Sequence, residues 1–300
     1  MSADAPFQRY AQALIDARAR RGSDAALVLL PDTDSTQTIA RGIVDAYRSE
    51  HPTAPDCDVV AWAQRAGRGR ADRAWFSPAG AGVYATLVRQ LDATRVPQLP
   101  MIVSVALVDA LRARLGPEVI CGLKWPNDLM ARRAADDDPT TTDGPRKLGG
   151  ILIDVRAAAT DGDAAGVTAL IGFGVNHGGR AADFADAGAP HAVSLAQLTT
   201  ADGDSPAATL ADTADALLAA VSDALARPPS AEALVDRYRA ASIHRAGDAL
   251  RCSLPDGNVR LGTFDGFDDR GFLRLRLPDG AMHLIAAGEV MLAAAQTSTR

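Results

Sequence analysis

KLGGILIDV, Lys147 to Val155, and VTALIGFGVN, Val167 to Asn176, are two apolar runs separated by a polar stretch of Asp, Gly and Thr. Runs of this length read as buried strands, and the polar turn between them makes an antiparallel pair at the centre of a sheet the natural reading. Working upstream, Val119 to Trp125 reads as a strand, Pro126 punctuates it, and Leu129 to Arg132 is the return arm of a hairpin. Val83 to Leu91, Cys57 to Ala63 and Ala25 to Pro31 add further strands. Helical spacing occurs from Gln8 to Arg21, after the Asp34-Ser35-Thr36 corner, from Leu99 to Leu115, from Leu210 to Leu225 and from Glu232 to Tyr238, with Ser230 placed to cap the last. After Ser242 the texture changes to short strands at Gly247–Leu254, Val259–Phe267, Phe272–Leu277 and Met282–Ala286, joined by turns such as Pro255-Asp256-Gly257-Asn258. The expected fold is α+β: a mixed, mainly antiparallel sheet packed with helices over residues 1–241, and a small β-barrel over 242–300. The acidic stretch Ala134 to Arg146 reads as an exposed, mobile loop.

Composition narrows the class. With 300 residues, 47% apolar and 23% charged, the chain can bury a large core and is neither disordered nor fibrous. A net charge of −6 argues against bulk counterion-release binding to DNA. Cys57, Cys121 and Cys252 are scattered and odd in number, which suits a reducing compartment, the cytoplasm by default. The N-terminus lacks a signal-peptide apolar core, and no uninterrupted apolar run reaches the roughly 20 residues of a membrane span, so no membrane partner is expected.

Three short stretches carry chemistry. Gly67-Arg68-Gly69-Arg70, followed by Arg73 and Trp75, gathers guanidinium groups between glycines that let the backbone approach an anion; its bland alternative is a solvated basic loop. Lys124-Trp125-Pro126-Asn127-Asp128 presents an amide and a carboxylate at a turn, the latter a hard oxygen of the kind Mg²⁺ accepts; its bland alternative is a capped turn. Lys147-Leu148-Gly149-Gly150 sets a cation beside two glycines at a strand entry. Gly172-Phe173-Gly174-Val175-Asn176 superficially evokes a dinucleotide loop but lacks the third glycine and a following helix, which excludes a Rossmann reading. There is no Gly-x-Ser-x-Gly elbow, and the five histidines have no zinc-ligand spacing.

In order along the chain, Asp34-Ser35-Thr36, Gln64 with Gly67-Arg68-Gly69-Arg70, Trp75-Phe76-Ser77-Pro78, Lys124-Trp125-Pro126-Asn127-Asp128, Lys147-Leu148-Gly149-Gly150-Ile151 and Gly172-x-Gly174-x-Asn176 closely resemble the biotin protein ligase family. The ordered set is far more specific than any member, and with the β-rich tail the likeness covers most of the chain. It implies a class II synthetase-like, lipoate/biotin ligase-like catalytic domain and an SH3-like C-terminal domain. It also implies the reaction of that family: ATP and biotin, with Mg²⁺, give biotinyl-5′-adenylate and pyrophosphate, and a lysine of a biotin carboxyl carrier protein takes the biotin. By motif, Ser35, Thr36, Gln64 and Gly67 would face the biotin ureido ring with Gly150 nearby. Arg68 and Arg70 would touch biotin and lie over the adenylate phosphate, and Lys147 would bridge the biotin carboxyl and that phosphate. These three are the implied catalytic residues. Arg73, Trp75, Asn127, Asp128 and Asn176 would serve ATP, with Asp128 also toward Mg²⁺ and Trp75 closing over the adenine.

Two departures stand out: Gln37 where the family usually has Asn, and Asp72 where it has Gly between the later arginines. Both are expected to weaken adenylate retention rather than abolish activity. The loop from Arg65 to Ala74 is expected to order over the adenylate. About 33 residues precede Asp34, with one helix, so the resemblance is to the ligase-only class without a DNA-binding winged helix. It leaves monomer and homodimer both open. The rival readings are a lipoate or octanoate ligase or transferase of the same superfamily, and a non-catalytic biotin sensor.

Overall fold

Ser35 begins the arrangement that positions the site. As a helix N-cap it accepts a hydrogen bond from the Gln37 backbone N–H, ending strand-like backbone and starting a helix at Thr36. The computed structural model describes residues 5–51, 54–136, 144–157, 166–199 and 207–292; most of the Ala134–Arg146 stretch and the side chain of Asp72 lie outside the described residues. In chain order the larger part comprises α1 (Ala5–Arg21), β1 (Ala26–Leu30), α2 (Thr36–Arg48), β2 (Cys57–Ala61), β3 (Gly82–Asp92), α3 (Leu99–Arg114), β4 (Val119–Lys124) and β5 (Asp128–Arg133). It continues through β6 (Arg146–Ala157), β7 (Gly166–Asn176), α4 (Ala181–Asp186), α5 (Leu195–Thr199), α6 (Ala207–Ala226) and α7 (Ala231–Ala241). The C-terminal part is all-β: β8 (Ala249–Ser253), β9 (Val259–Phe267), β10 (Leu273–Arg276), β11 (Met282–Ile285) and β12 (Glu289–Leu292).

The seven-stranded sheet runs β1-β2-β3-β7-β6-β5-β4. β6 and β7 are an antiparallel pair near its centre, with Gly150 opposite Gly174 and Leu152 opposite Gly172. Among the described strands of this sheet, β1 and β2 pair in parallel, with α2 as their connection, and the other neighbours pair antiparallel. The second sheet has five strands in the order β11-β10-β9-β8-β12, a meander whose last strand returns beside its first. Sequence spacing gave no sign of α4, α5 or β12.

The side-chain alternation of β7 divides the molecule. Ala169, Ile171, Phe173 and Val175 enter the main core with Val83, Ala85 and Leu87 of β3 and with the buried faces of α1, α3, α6 and α7. Leu170, two residues before Gly172, points the other way into a smaller core with Val88, Val59, Ala40 and Val44 under α2. Farther along that second face β7 and β6 carry Gly172, Gly174 and Gly150, over which the Gln37 and Trp75 side chains lie. The one described stretch long and apolar enough to cross a membrane, Ala93–Arg114, contains α3. That helix is apolar on nearly every side because the sheet, α6 and α7 enclose it.

Candidate active site

The glycines on the open sheet face are required by what lies on them. A Cβ at Gly174 would sit 2.4 Å from Trp75 Nε1, and one at Gly172 would sit 2.6 Å from Gln37 Oε1. Without those side chains the sheet is the floor of a cavity of about 390 Å³.

One end of the cavity is a closed hydrogen-bonded frame. Gln64 Oε1 accepts from the Thr36 backbone N–H at 2.8 Å and from Thr36 Oγ1 at 3.2 Å, while its Nε2 donates to Ser77 Oγ at 2.9 Å. Ser77 Oγ in turn donates a hydrogen bond to Trp75 O at 3.0 Å. The Gln64 amide is therefore held in one orientation. Gly67 lies beneath this frame rather than in the cavity wall: it accepts from the Trp75 backbone N–H at 2.8 Å, and a Cβ on it would strike Trp75 O at 2.4 Å and Ser77 Oγ at 2.7 Å.

The other end is ionic. Arg68, Arg70 and Arg73 line it from a loop that is closed on itself, Gly69 N–H donating to Arg73 O at 2.7 Å, with Ala71 in the left-handed region at φ 52°. Arg70 Nη1 donates to Asn127 Oδ1 at 3.3 Å and to Gly288 O of the C-terminal sheet at 3.1 Å. Burial pulls the Arg70 guanidinium below its ordinary value, and the negative charges of Asp128 and Glu289 oppose that pull. Arg73 pairs with Glu289. Lys147 Nζ lies 2.6 Å from Asp128 Oδ1 and 5.5 Å from the centre of the Trp75 ring, which lies across Gly150 and Gly174. Trp75 Nε1 is turned onto the Gly174 backbone, buried, and has no acceptor among the described residues. Asn127 Nδ2 is committed to Ile151 O at 2.8 Å, and Asn176 Nδ2 to Val193 O at 3.1 Å.

Of the residues singled out from sequence, Ser35, Thr36, Gln64, Arg68, Arg70, Arg73, Trp75, Asn127, Asp128, Lys147, Gly150 and Asn176 all border this one cavity, and Gly67 supports it from below. Sequence reasoning missed Thr86, Phe184 and His191, which also line it, and it quoted Phe76 only as part of a motif block. Thr86 could have been found only through strand alternation, since it stands opposite Gly172. No trio of His, Cys, Asp or Glu suited to a metal occurs among the described residues.

Comparison with known proteins gives this geometry its context. Residues 29–176 match the biotin/lipoate A/B protein ligase family, and residues 251–292 match the biotin protein ligase C-terminal domain. The biotin–[acetyl-CoA-carboxylase] ligase of Paracoccus denitrificans is 33% identical over 242 residues, which are 77% of this chain and 88% of that protein. The chain belongs to the biotin protein ligase family. Another member, the biotin–[acetyl-CoA-carboxylase] ligase of Mycobacterium tuberculosis, is 30% identical over 78% of this chain and 77% of its own length. Among solved structures of biotin protein ligases, that of Aquifex aeolicus in complex with biotin and ATP shares the fold, with a TM-score of 0.60 at 19% identity over 89% of this chain and 97% of that one. The α+β class and the all-β C-terminal part expected from sequence are those of the biotin protein ligase fold.

Proposed function

We propose that the chain activates biotin with ATP to biotinyl-5′-AMP and transfers the biotin to a lysine of a biotin carboxyl carrier protein. The observation that carries this is the meeting of Arg68, Arg70 and Lys147 at one cavity between a polar frame (Ser35, Thr36, Gln64) and a nucleotide-suited end (Asn127, Asp128, Asn176). Joining a carboxylate to a triphosphate forces anions together, at a cost of about 4 kcal/mol per pair of unit charges roughly 4 Å apart at an effective dielectric near 20. Fixed cations on both groups remove that cost and hold the reacting atoms in line. In the first step a biotin carboxylate oxygen bonds to the α-phosphorus while the bond to the pyrophosphate oxygen breaks, and pyrophosphate leaves with the electron pair. In the second, a neutral lysine amine bonds to the acyl carbon, the bond to the AMP oxygen breaks, and the new amide nitrogen loses a proton. The nucleophiles are the biotin carboxylate and the carrier lysine, and this chain supplies none.

Asp128, with one carboxylate oxygen on Lys147 and Asn127 Oδ1 nearby, fits the sparse donor set of a nucleotide-borne Mg²⁺ that keeps its waters and phosphate oxygens. When bound there the ion would neutralise phosphate charge. The frame around Gln64 favours biotin over lipoate or octanoate, because the one Nε2 hydrogen it does not spend on Ser77 can meet a ureido oxygen, which a dithiolane or an alkyl chain lacks. The match over residues 251–292 to a biotin ligase C-terminal domain supports the same choice.

This reading takes 1–241 as the biotin- and ATP-binding domain and 242–300 as a small domain that reaches the arginine loop through Gly288 and Glu289. It has no DNA partner, since the site's cations line a cavity and the net charge is −6. It works in the reducing cytoplasm, where its three buried thiols stay free. The test is pyrophosphate release: expected with biotin plus ATP, not with lipoate plus ATP, and followed by an ATP-dependent gain of one biotinyl group on a carrier domain by mass spectrometry. Absence of pyrophosphate with biotin would overturn the reading.

A further inference from the structure

The polar end of the cavity contains a side chain that the reaction described above does not use. Gln37, in the first turn of α2, is 3% exposed and borders the cavity beside Thr86. Both hydrogens of its Nε2 are engaged, with Leu170 O at 3.2 Å and Asp154 Oδ2 at 3.2 Å. Asp154 is itself anchored, its Oδ2 accepting from Arg41 Nη2 at 2.7 Å. The amide therefore cannot turn, and its oxygen faces the pocket. There Oε1 accepts from Thr86 Oγ1 at 3.1 Å and lies so close over the sheet that a Cβ on Gly172 would come within 2.6 Å of it. Thr86 Oγ1 is in turn 3.0 Å from Thr36 Oγ1, so Gln37 joins the frame built on Gln64.

An amide oxygen accepts two hydrogen bonds, and among the described residues Thr86 supplies one. We propose that Gln37 is a specificity-determining residue of the biotin pocket: its oxygen is the end wall that accepts an N–H of the ureido ring, and its bulk on Gly172 sets the depth of the pocket. An Asn at this position would be one methylene shorter and would draw the amide back from Leu170, Asp154 and Gly172 together. Asp154 and Arg41 are positioning residues in this scheme, acting on the ligand only through Gln37.

The inference rests on the biotin-ligase reading, and its test separates the two. Pyrophosphate release would be measured for the full chain and for Gln37→Ala, Gln37→Asn and Asp154→Ala, with biotin and with biotin methylated on a ureido nitrogen, at varied ATP. For Gln37→Ala, loss of one hydrogen bond should raise the KM for biotin about tenfold with the KM for ATP unchanged. Wild-type preference for biotin over the methylated analogue should shrink by about tenfold as well, because donor requirement and steric limit go together. Asp154→Ala should raise the KM for biotin in the same direction by a smaller factor, and it carries the test if Gln37→Ala does not fold. A biotin KM and analogue preference within about twofold of wild type in the folded variants would overturn the role of Gln37, a loss of one hydrogen bond being worth more than that. A wild-type chain inert toward biotin would instead overturn the reading beneath it.

Discussion

Lys147 shows how a residue legible by type becomes a site only by placement. Its ammonium is about one-third exposed and paired with Asp128, so its contribution to stability is small. In the reaction proposed above, the same charge would act on the carboxylate and phosphate, where negative charge develops. Lys147→Ala and Arg70→Ala should each slow adenylate formation by about a hundredfold or more, with unfolding free energies within about 1 kcal/mol of wild type for Lys147→Ala. Single-turnover pyrophosphate release and urea unfolding check this, and undiminished turnover in both would remove their assigned roles. The sequence announces such cations because charge is written in the residue name. It does not announce Thr86, whose relevance depends on which face of β3 it occupies.

Two buried histidines make a second residue-level prediction. His177 and His244 are both held down to about 4, mainly by burial. His244 accepts the Trp125 backbone N–H at Nε2, and His177 faces Thr213 Oγ1, so each is neutral in the folded state. A folded value below the ordinary histidine value means that the unfolded chain binds the extra proton more tightly. Stability is then full above about pH 6.5 and is lost as pH falls toward 4, by up to about 3 kcal/mol per histidine. Urea unfolding at stepped pH should show this loss, and His244→Gln should reduce its slope toward that of one histidine. An unchanged slope would exclude His244 from the effect.

At the scale of elements, the alternation in VTALIGFGVN separates a core-facing series from one that grades from Leu170 under α2 to glycines in the cavity. The strands were readable from that run, but the parallel pairing of β1 with β2 was not, because a pairing partner is not a local property. Nor was the device that ties α1 to the sheet. Arg18 and Arg89 both hold Asp58, each at 2.6 Å, and all three are buried. Arg89 reaches on to Ser222 of α6, so one carboxylate joins α1, β2, β3 and α6. Asp58→Asn would leave the buried Arg18 without its carboxylate and Arg89 with only the half-exposed Asp56, 4.0 Å away. We expect a loss of about 3–5 kcal/mol in denaturant unfolding. A loss below about 1 kcal/mol would mean that water reaches the arginines and the triad is not a dry junction.

At the scale of the whole molecule, the C-terminal sheet is docked where the site needs it. Trp125 Nε1, one residue before the Pro126 turn that presents Asn127 and Asp128, donates to Gly271 O at 3.1 Å. Tyr238 meets Phe267 edge-on, and Arg239 Nη2 donates to Phe267 O at 2.9 Å. The same sheet gives Gly288 O to Arg70 and Glu289 to Arg73. Gly271 is the tightest point of this contact: its φ is +78°, and a Cβ there would lie 2.4 Å from Met101 Sδ on α3. Gly271→Ala combines backbone strain with overpacking and should cost about 1–3 kcal/mol. If docking positions Arg70, this variant should also lose turnover in pyrophosphate release at saturating biotin and ATP. Glu289→Ala breaks only an exposed ion pair, worth at most about 1 kcal/mol, and should leave stability almost unchanged. The two variants thus separate docking of the C-terminal sheet from a surface charge. Loss of stability without loss of turnover in Gly271→Ala would show that the arginine loop keeps its shape by its own Gly69–Arg73 hydrogen bond, with the small sheet contributing stability alone.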